Sequence, residues 1–129
     1  IEDRATVGEI LEKLSALGIA IALDDFGTGY AGLDYLKTLP IACLKIDKTF
    51  VQEMGSSLRS FEIVQSSINL AWALGLTTIA EGIEDEDTAC RLGELGCTVA
   101  QGYYFARPMP AQDVPGWLKE ATDAGRLRA

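Results

Sequence analysis

Four short apolar runs, each closing on charged or amide side chains, constrain this chain more than any other feature. Residues 19–23 run into Asp24 and Asp25, residues 42–46 carry Lys45 and lead to Asp47, residues 76–80 run into Glu81, and residues 97–100 meet Gln101. Helical patterns separate them, giving the order αβαβαβαβα with no domain linker. Strands and helices that alternate through right-handed crossovers require parallel strands. In such folds ligands and metals sit at the carboxyl ends of the strands, where all of these polar groups fall. The repeated placement predicts an α/β chain of parallel (β/α) units, as in a (β/α)₈ barrel. Four units are present where eight are required, and about 250 residues is typical. The 129 residues therefore amount to half a barrel, a single partial domain.

The first run, Ile19-Ala20-Ile21-Ala22-Leu23, predicts a strand buried on both faces. Side chains alternate along a strand, so Asp24 and Asp25 start on opposite faces. The backbone must twist or bend there for both to reach one site, and Gly27 and Gly29 permit such geometry. A solvated Asp-Asp turn is the plainer alternative.

Ahead of this run, Val7, Ile10, Leu11, Leu14 and Leu17 fall at helical spacing over residues 6–17. Thr6 and Glu9 fit a capping box, and Gly18 supplies the stop. Tyr30, Leu33, Leu36 and Leu39 suggest a short helix closed by Pro40. Residues 49–58 are less regular, and 55–57 read as a loop. A long helix over 59–74 turns Ile63, Val64, Ile68, Ala71 and Trp72 inward and stops at Gly75. Asp85 predicts the N-cap of a helix over 86–95 that ends at Gly96, and Asp113 that of a last helix through 121.

Composition narrows the chemistry. Apolar content of 48% with 23% charged residues is that of a folded globular chain. A net charge of −8 argues against a surface that binds polymeric nucleic acid by neutralising phosphates. A phosphate-bearing ligand would need a bound cation to offset the acids around it. With no histidine, zinc chemistry and histidine-based triads are effectively excluded. Cys43, Cys90 and Cys97 read as small core residues in a reducing compartment, and a cytoplasmic location is expected. No apolar run reaches the roughly 18 residues of a membrane span, and no signal peptide is visible. The chain opens on Ile1, which reads as an excerpt of a longer protein.

Asp24 and Asp25 are hard oxygen donors suited to Mg²⁺ or Mn²⁺. Adjacent acids can serve two cations about 3.5–4 Å apart, as in-line phosphoryl displacement requires. Lys45 could orient an activated water or stabilise phosphate charge; a surface lysine seldom sits in Leu44-Lys45-Ile46. Glu81 fits a metal ligand, a general base or a helix-cap carboxylate. Gln101 fits a donor to substrate or water, or a satisfied interior amide. Tyr103, Tyr104 and Phe105 could stack on a base, with core packing the better reading for at least two of them.

Asp24-Asp25-Phe26-Gly27-Thr28-Gly29-Tyr30, Leu44-Lys45-Ile46-Asp47, Ala80-Glu81-Gly82-Ile83-Glu84 and Gln101-Gly102-Tyr103 together resemble, in order and spacing, the second half of an EAL domain. Arg107-Pro108-Met109-Pro110 is similar to that family's closing segment, and the resemblance covers about residues 4–118. It implies a cyclic di-GMP phosphodiesterase with Mg²⁺ or Mn²⁺, two ions in the complete site. It implies Asp24 and Asp25 as the metal pair, Lys45 and Gln101 at the attacking water, and Glu81 as ligand or base. Phe26, Gly27, Thr28, Gly29 and Tyr30 correspond to the loop coupling metal binding to dimerisation, with Glu84 supporting it and Asp47 beside the site.

Three departures stand out. Ala31-Gly32 replaces the usual serine pair, and Asp85 stands where threonine is usual. The Glu-Ala-Leu signature is also absent, along with the asparagine and glutamate that complete the metal shell. The expectation is a parent phosphodiesterase that works as a homodimer. A preceding GGDEF, sensor or membrane-anchoring segment is compatible with it. The 129-residue chain alone is expected to be inactive and to pair or aggregate through uncovered strand edges. A cyclic di-GMP receptor without catalysis is the alternative.

Overall fold

The computed structural model describes residues 4–26 and 36–125. Its four strands form one sheet in chain order: β1 (Ala22–Phe26), β2 (Cys43–Ile46), β3 (Thr77–Ala80) and β4 (Val99–Ala100). Every neighbouring pair is parallel. The helices are α1 (Arg4–Ala16), α2 (Lys48–Glu53), α3 (Leu58–Leu74), α4 (Glu86–Leu95) and α5 (Val114–Asp123), the last entered through a 3₁₀ turn at Ala111–Asp113. Residues 36–38 are also helical; Tyr30 and Leu33, the start of the short helix expected there, lie outside the described residues.

β2 and β3 alternate cleanly. Leu44, Ile46, Thr78 and Ala80 are fully buried, while Cys43, Lys45, Thr77 and Ile79 face the other way, half-buried. The buried side meets a stripe of α3 formed by Ser60, Val64, Ser67, Ile68 and Ala71, whose spacing of three and four keeps one face inward. Ile46, Val51, Met54, Val64, Ile68, Ala80, Ile83 and Leu92 make the continuous core. Its two serines are satisfied locally: the Ser60 hydroxyl donates to Glu53 Oε2 at 3.2 Å and the Ser67 hydroxyl to the Ile63 carbonyl at 2.7 Å.

Helix ends follow their caps. Asp85 accepts from the Thr88 amide, and Gly75 and Gly96 close α3 and α4 in the left-handed region, as the sequence predicts. Gly18 closes α1 in the same way, with φ +87°. The other end of α1 differs: Thr6 and Glu9 lie inside the helix, which already includes Arg4. Asp113 precedes α5 without a side-chain capping bond.

The strands also depart from the apolar runs. β1 starts at Ala22, not Ile19, because the Ile19 amide is taken by the Leu14 carbonyl at the end of α1. It extends through the two acids instead of stopping before them. It is not buried on both faces: Ala22 and Asp24 are exposed. β4 is shorter than 97–100 because the Cys97 amide closes α4 on Leu92 and the Thr98 amide bonds the Thr78 hydroxyl at 3.1 Å. Side-chain pairing there replaces the first rungs of the ladder.

Residues 48–53, most of them within the stretch 49–58 expected to be less regular, form α2, started by Asp47, whose carboxylate accepts from the Thr49 amide at 3.0 Å. Trp72 does not turn inward: it is 67% exposed, one position beyond the buried stripe, and its indole N–H donates to the Gly96 carbonyl at 2.9 Å. Cys90 is exposed, whereas Cys43 and Cys97 are half-buried, and all three are free thiols. Tyr103 and Tyr104 are exposed; only Phe105 of that trio packs against the core.

Candidate active site

The four strand ends stand side by side at one rim because the register brings them there. Lys45 is level with Ile79, and Glu81 follows two residues on, on the same face of the sheet. The Glu81 amide extends the ladder to the Ile46 carbonyl, and the Gln101 amide does the same to the Ala80 carbonyl. A long side chain at Lys45 therefore reaches its diagonal neighbour, and its Nζ lies 2.8 Å from Glu81 Oε1. Gln101 leaves the adjacent strand beside them, exposed.

β1 completes the row with a bulge. Leu23 pairs with Leu44 and Phe26 with Ile46, so three steps along β1 match two along β2. The extra residue falls at Asp24-Asp25, alongside Lys45. A bulge of this kind re-aims side chains at a strand end, which is the bend that two adjacent acids demand if both are to serve one site. Asp24 is exposed. The side chains of Asp25 and Phe26, and Gly27, Thr28 and Gly29 entirely, lie outside the described residues.

Behind Glu81 the chain turns sharply and packs backbone on backbone. A Cβ on Gly102 would lie 2.1 Å from the Ile83 carbonyl oxygen, so the segment after β4 can approach only as glycine. The Ile83 amide donates to the Gln101 carbonyl, and the Tyr104 amide to the Ile83 carbonyl. A cleft of about 340 Å³ opens beside the pair, lined by Lys48, Gln52, Glu81, Glu84, Gln101 and Tyr103 among others. The Arg107 guanidinium sits 4.7 Å from the Tyr103 ring centroid, a cation–π contact.

The structure thus brings Lys45, Glu81 and Gln101 together, with Asp24 on the neighbouring strand end. Asp47 is engaged as the cap of α2, and exposed Glu84 accepts from Gln52 Nε2 at 3.3 Å. Gln52 is the residue that sequence reasoning missed. Its helix is only six residues long, and the available signal was Asp47 as a cap followed by Phe50, Val51 and Met54 at helical spacing.

The donors on this rim are carboxylates, the kind a hard divalent cation takes. Among the described residues no three Asp, Glu, Cys or His side chains converge as a metal site. No helix among them is long and apolar enough to cross a membrane.

Comparison with known proteins agrees with this arrangement. A family model described as the EAL domain matches residues 1–108. Cyclic di-GMP phosphodiesterase RocR of Pseudomonas aeruginosa is 48% identical over 104 residues, covering 81% of this chain and 26% of RocR. The solved PaMucR phosphodiesterase, a c-di-GMP complex, superimposes with a TM-score of 0.82 at 43% identity, over 88% of this chain and 46% of that one. Klebsiella pneumoniae BlrP1, a manganese/cy-diGMP complex, gives 0.75 at 33% identity, over 83% and 27%. The chain therefore spans about a quarter of RocR and less than half of either solved chain. Its parallel (β/α) units are of the TIM-barrel type, and the chain belongs to the EAL-domain family.

Proposed function

We propose that this chain forms one side of the rim of a metal-dependent phosphodiesterase that opens cyclic di-GMP to linear pGpG. The observation that carries the reading is the Lys45–Glu81 pair at 2.8 Å, beside the bulged Asp24-Asp25 strand end. Both side chains keep about a quarter of their exposure, 28% and 23%. A pair so open stabilises a fold by about 0–1 kcal/mol. Its value lies in holding an ammonium and a carboxylate ready at a strand end, not in stability.

In this reading Asp24 and Asp25 hold Mg²⁺ or Mn²⁺, two ions in the complete site, with further ligands from outside the described residues. Such ions activate water and neutralise phosphate charge. Glu81, paired with the Lys45 ammonium, accepts a proton or joins the metal ligands. Lys45 orients the water and takes up charge that develops on the phosphate. Gln101 donates to the same region. Water oxygen bonds to phosphorus, the P–O3′ bond breaks, and the leaving oxygen takes a proton. Phe26, Gly27, Thr28 and Gly29, with Glu84, are assigned to the adjoining loop and Asp47 to its flank. The whole protein is assigned to the cytoplasmic side as a homodimer, with a sensor or GGDEF segment a compatible partner. The RocR, PaMucR and BlrP1 likenesses support the substrate and the metal class.

The test is turnover of cyclic di-GMP by the intact parent with Mg²⁺ or Mn²⁺. Lys45→Ala and Asp24→Asn should each lower kcat by at least about 100-fold, the scale of one positioned catalytic group. A second reading, binding without catalysis, draws on the lack of a three-ligand cluster among the described residues. Calorimetric binding without turnover would favour it, and no binding at all would end both readings.

A further inference from the structure

Glu81 lies at the start of a segment, residues 81–84, without regular secondary structure, and something must keep its carboxylate within reach of Lys45. The segment after β4 supplies part of that restraint: the Ile83 amide donates to the Gln101 carbonyl and the Tyr104 amide to the Ile83 carbonyl. The rest comes from α2. Its first residue packs so closely that a Cβ on Gly82 would lie 2.6 Å from Lys48 Cβ, and Gly82 itself has φ +78°. One turn later Gln52 Nε2 reaches the Gly82 carbonyl at 3.2 Å and Glu84 Oε1 at 3.3 Å. Both partners can only accept, so the amide nitrogen must face them. Gln52 thereby ties the residue after Glu81 and the residue three after it to one rigid helix. The helix is in turn fixed by buried Val51 and by the Asp47 cap.

From this geometry we infer that Gln52 is a positioning residue. Its side-chain N–H₂ clamps the Gly82–Glu84 turn and so sets the Glu81 carboxylate against the Lys45 ammonium. The inference rests on the phosphodiesterase reading for its kinetic consequence and on the hydrogen bonds alone for its structural one.

The two are separable. Gln52→Glu keeps the size but replaces the donor with an acceptor, facing a carbonyl and a second carboxylate. Gln52→Arg restores N–H donors at the same site. In the intact parent, Gln52→Glu should lower cyclic di-GMP kcat about tenfold with KM little changed, because misplacing a catalytic group costs chemistry more than binding. Gln52→Arg should recover most of that loss. Hydrogen exchange followed by mass spectrometry should show the same order: faster exchange in Gln52→Glu confined to residues 82–84 and 101–104, near wild type in Gln52→Arg. Wild-type kinetics and exchange in Gln52→Glu would overturn the inference. So would exchange that rises equally throughout α3, or an arginine variant no better than the glutamate one. If wild type turns over no substrate, the phosphodiesterase reading fails, and the exchange pattern alone still decides whether Gln52 holds the turn.

Discussion

The middle of the sheet and its flanks are made of similar residues yet live in different surroundings. On β2 and β3, Leu44, Ile46, Thr78 and Ala80 are all fully buried. On the flanks, Ala22 of β1 and both residues of β4 are exposed, with Val99 at 44%. The middle strands have a neighbour on each side and α3 beneath them; β1 and β4 each pair on one side only within this sheet. The contrast separates two duties. The centre fixes the frame and delivers Lys45 and Glu81, whereas the flanks carry Asp24 and Gln101 on strands whose burial must come from other contacts. The Lys45–Glu81 pair is therefore anchored more firmly than Asp24 and Gln101.

The largest effect should come from the centre. Ile46→Ala removes a fully buried side chain that packs with Val64 and Ile68, and should cost about 2–5 kcal/mol in denaturant unfolding. Val99→Ala, on the exposed flank, should stay within about 0.5 kcal/mol. Equal losses at the two positions would erase the distinction between frame and flank. The flanks should show themselves differently, as self-association of the isolated 129-residue chain in light scattering. A stable monodisperse monomer would contradict that.

Next in size is Gly102→Ala, at the seam between the two regions. A methyl group 2.1 Å from the Ile83 carbonyl oxygen must push the β4 exit away from the turn after Glu81. The expected cost is about 1–3 kcal/mol, the range for overpacking, together with loss of turnover in the parent. Unchanged unfolding would mean that the flank yields freely and that the close approach restrains nothing.

Much of the frame was legible in the sequence where its causes are local. Asp85 and Gly96 bound α4 to the residue, because a cap acts within one turn of its own position. The order of strands, their parallel pairing and the polar groups at their ends follow from alternation alone. The misses have non-local causes. The start of β1 depends on the Ile19 amide being claimed by α1, and the start of β4 on two threonine hydroxyls standing in for backbone rungs. Trp72 satisfies a helical apolar pattern but meets a carbonyl at the end of the next helix instead of the core. α2 is too short for its period to rise above the background, and the Gln52 clamp went unread with it. For the site, sequence marked Lys45, Glu81 and Gln101 by position. Only the diagonal register explains why Lys45 meets Glu81 and not some nearer group.

The smallest expected effect concerns Asp85, the N-cap of α4. The Thr88 amide, 2.8 Å from Asp85 Oδ1, and the Thr88 side chain hold this carboxyl below its ordinary value, against a weaker opposing effect of burial. A carboxyl depressed in the folded state adds stability that is present above its unfolded value, about 3.9, and lost as pH falls through its folded value. Many other acids titrate in the same window, so the raw acid profile says little about this one. Asp85→Asn isolates it: asparagine caps a helix about as well as aspartate but does not titrate there. The variant should match wild type near neutral pH to within a small offset, since Glu86 and Asp87 keep the first turn acidic. As pH falls through the ordinary carboxylate range and below it, wild type should lose stability faster than the variant, and the difference curve should level off once the Asp85 carboxyl is protonated. A flat difference curve would show that the Thr88 bonds do not favour the charged cap. The cap would then act through its hydrogen bond alone, with no contribution from its charge.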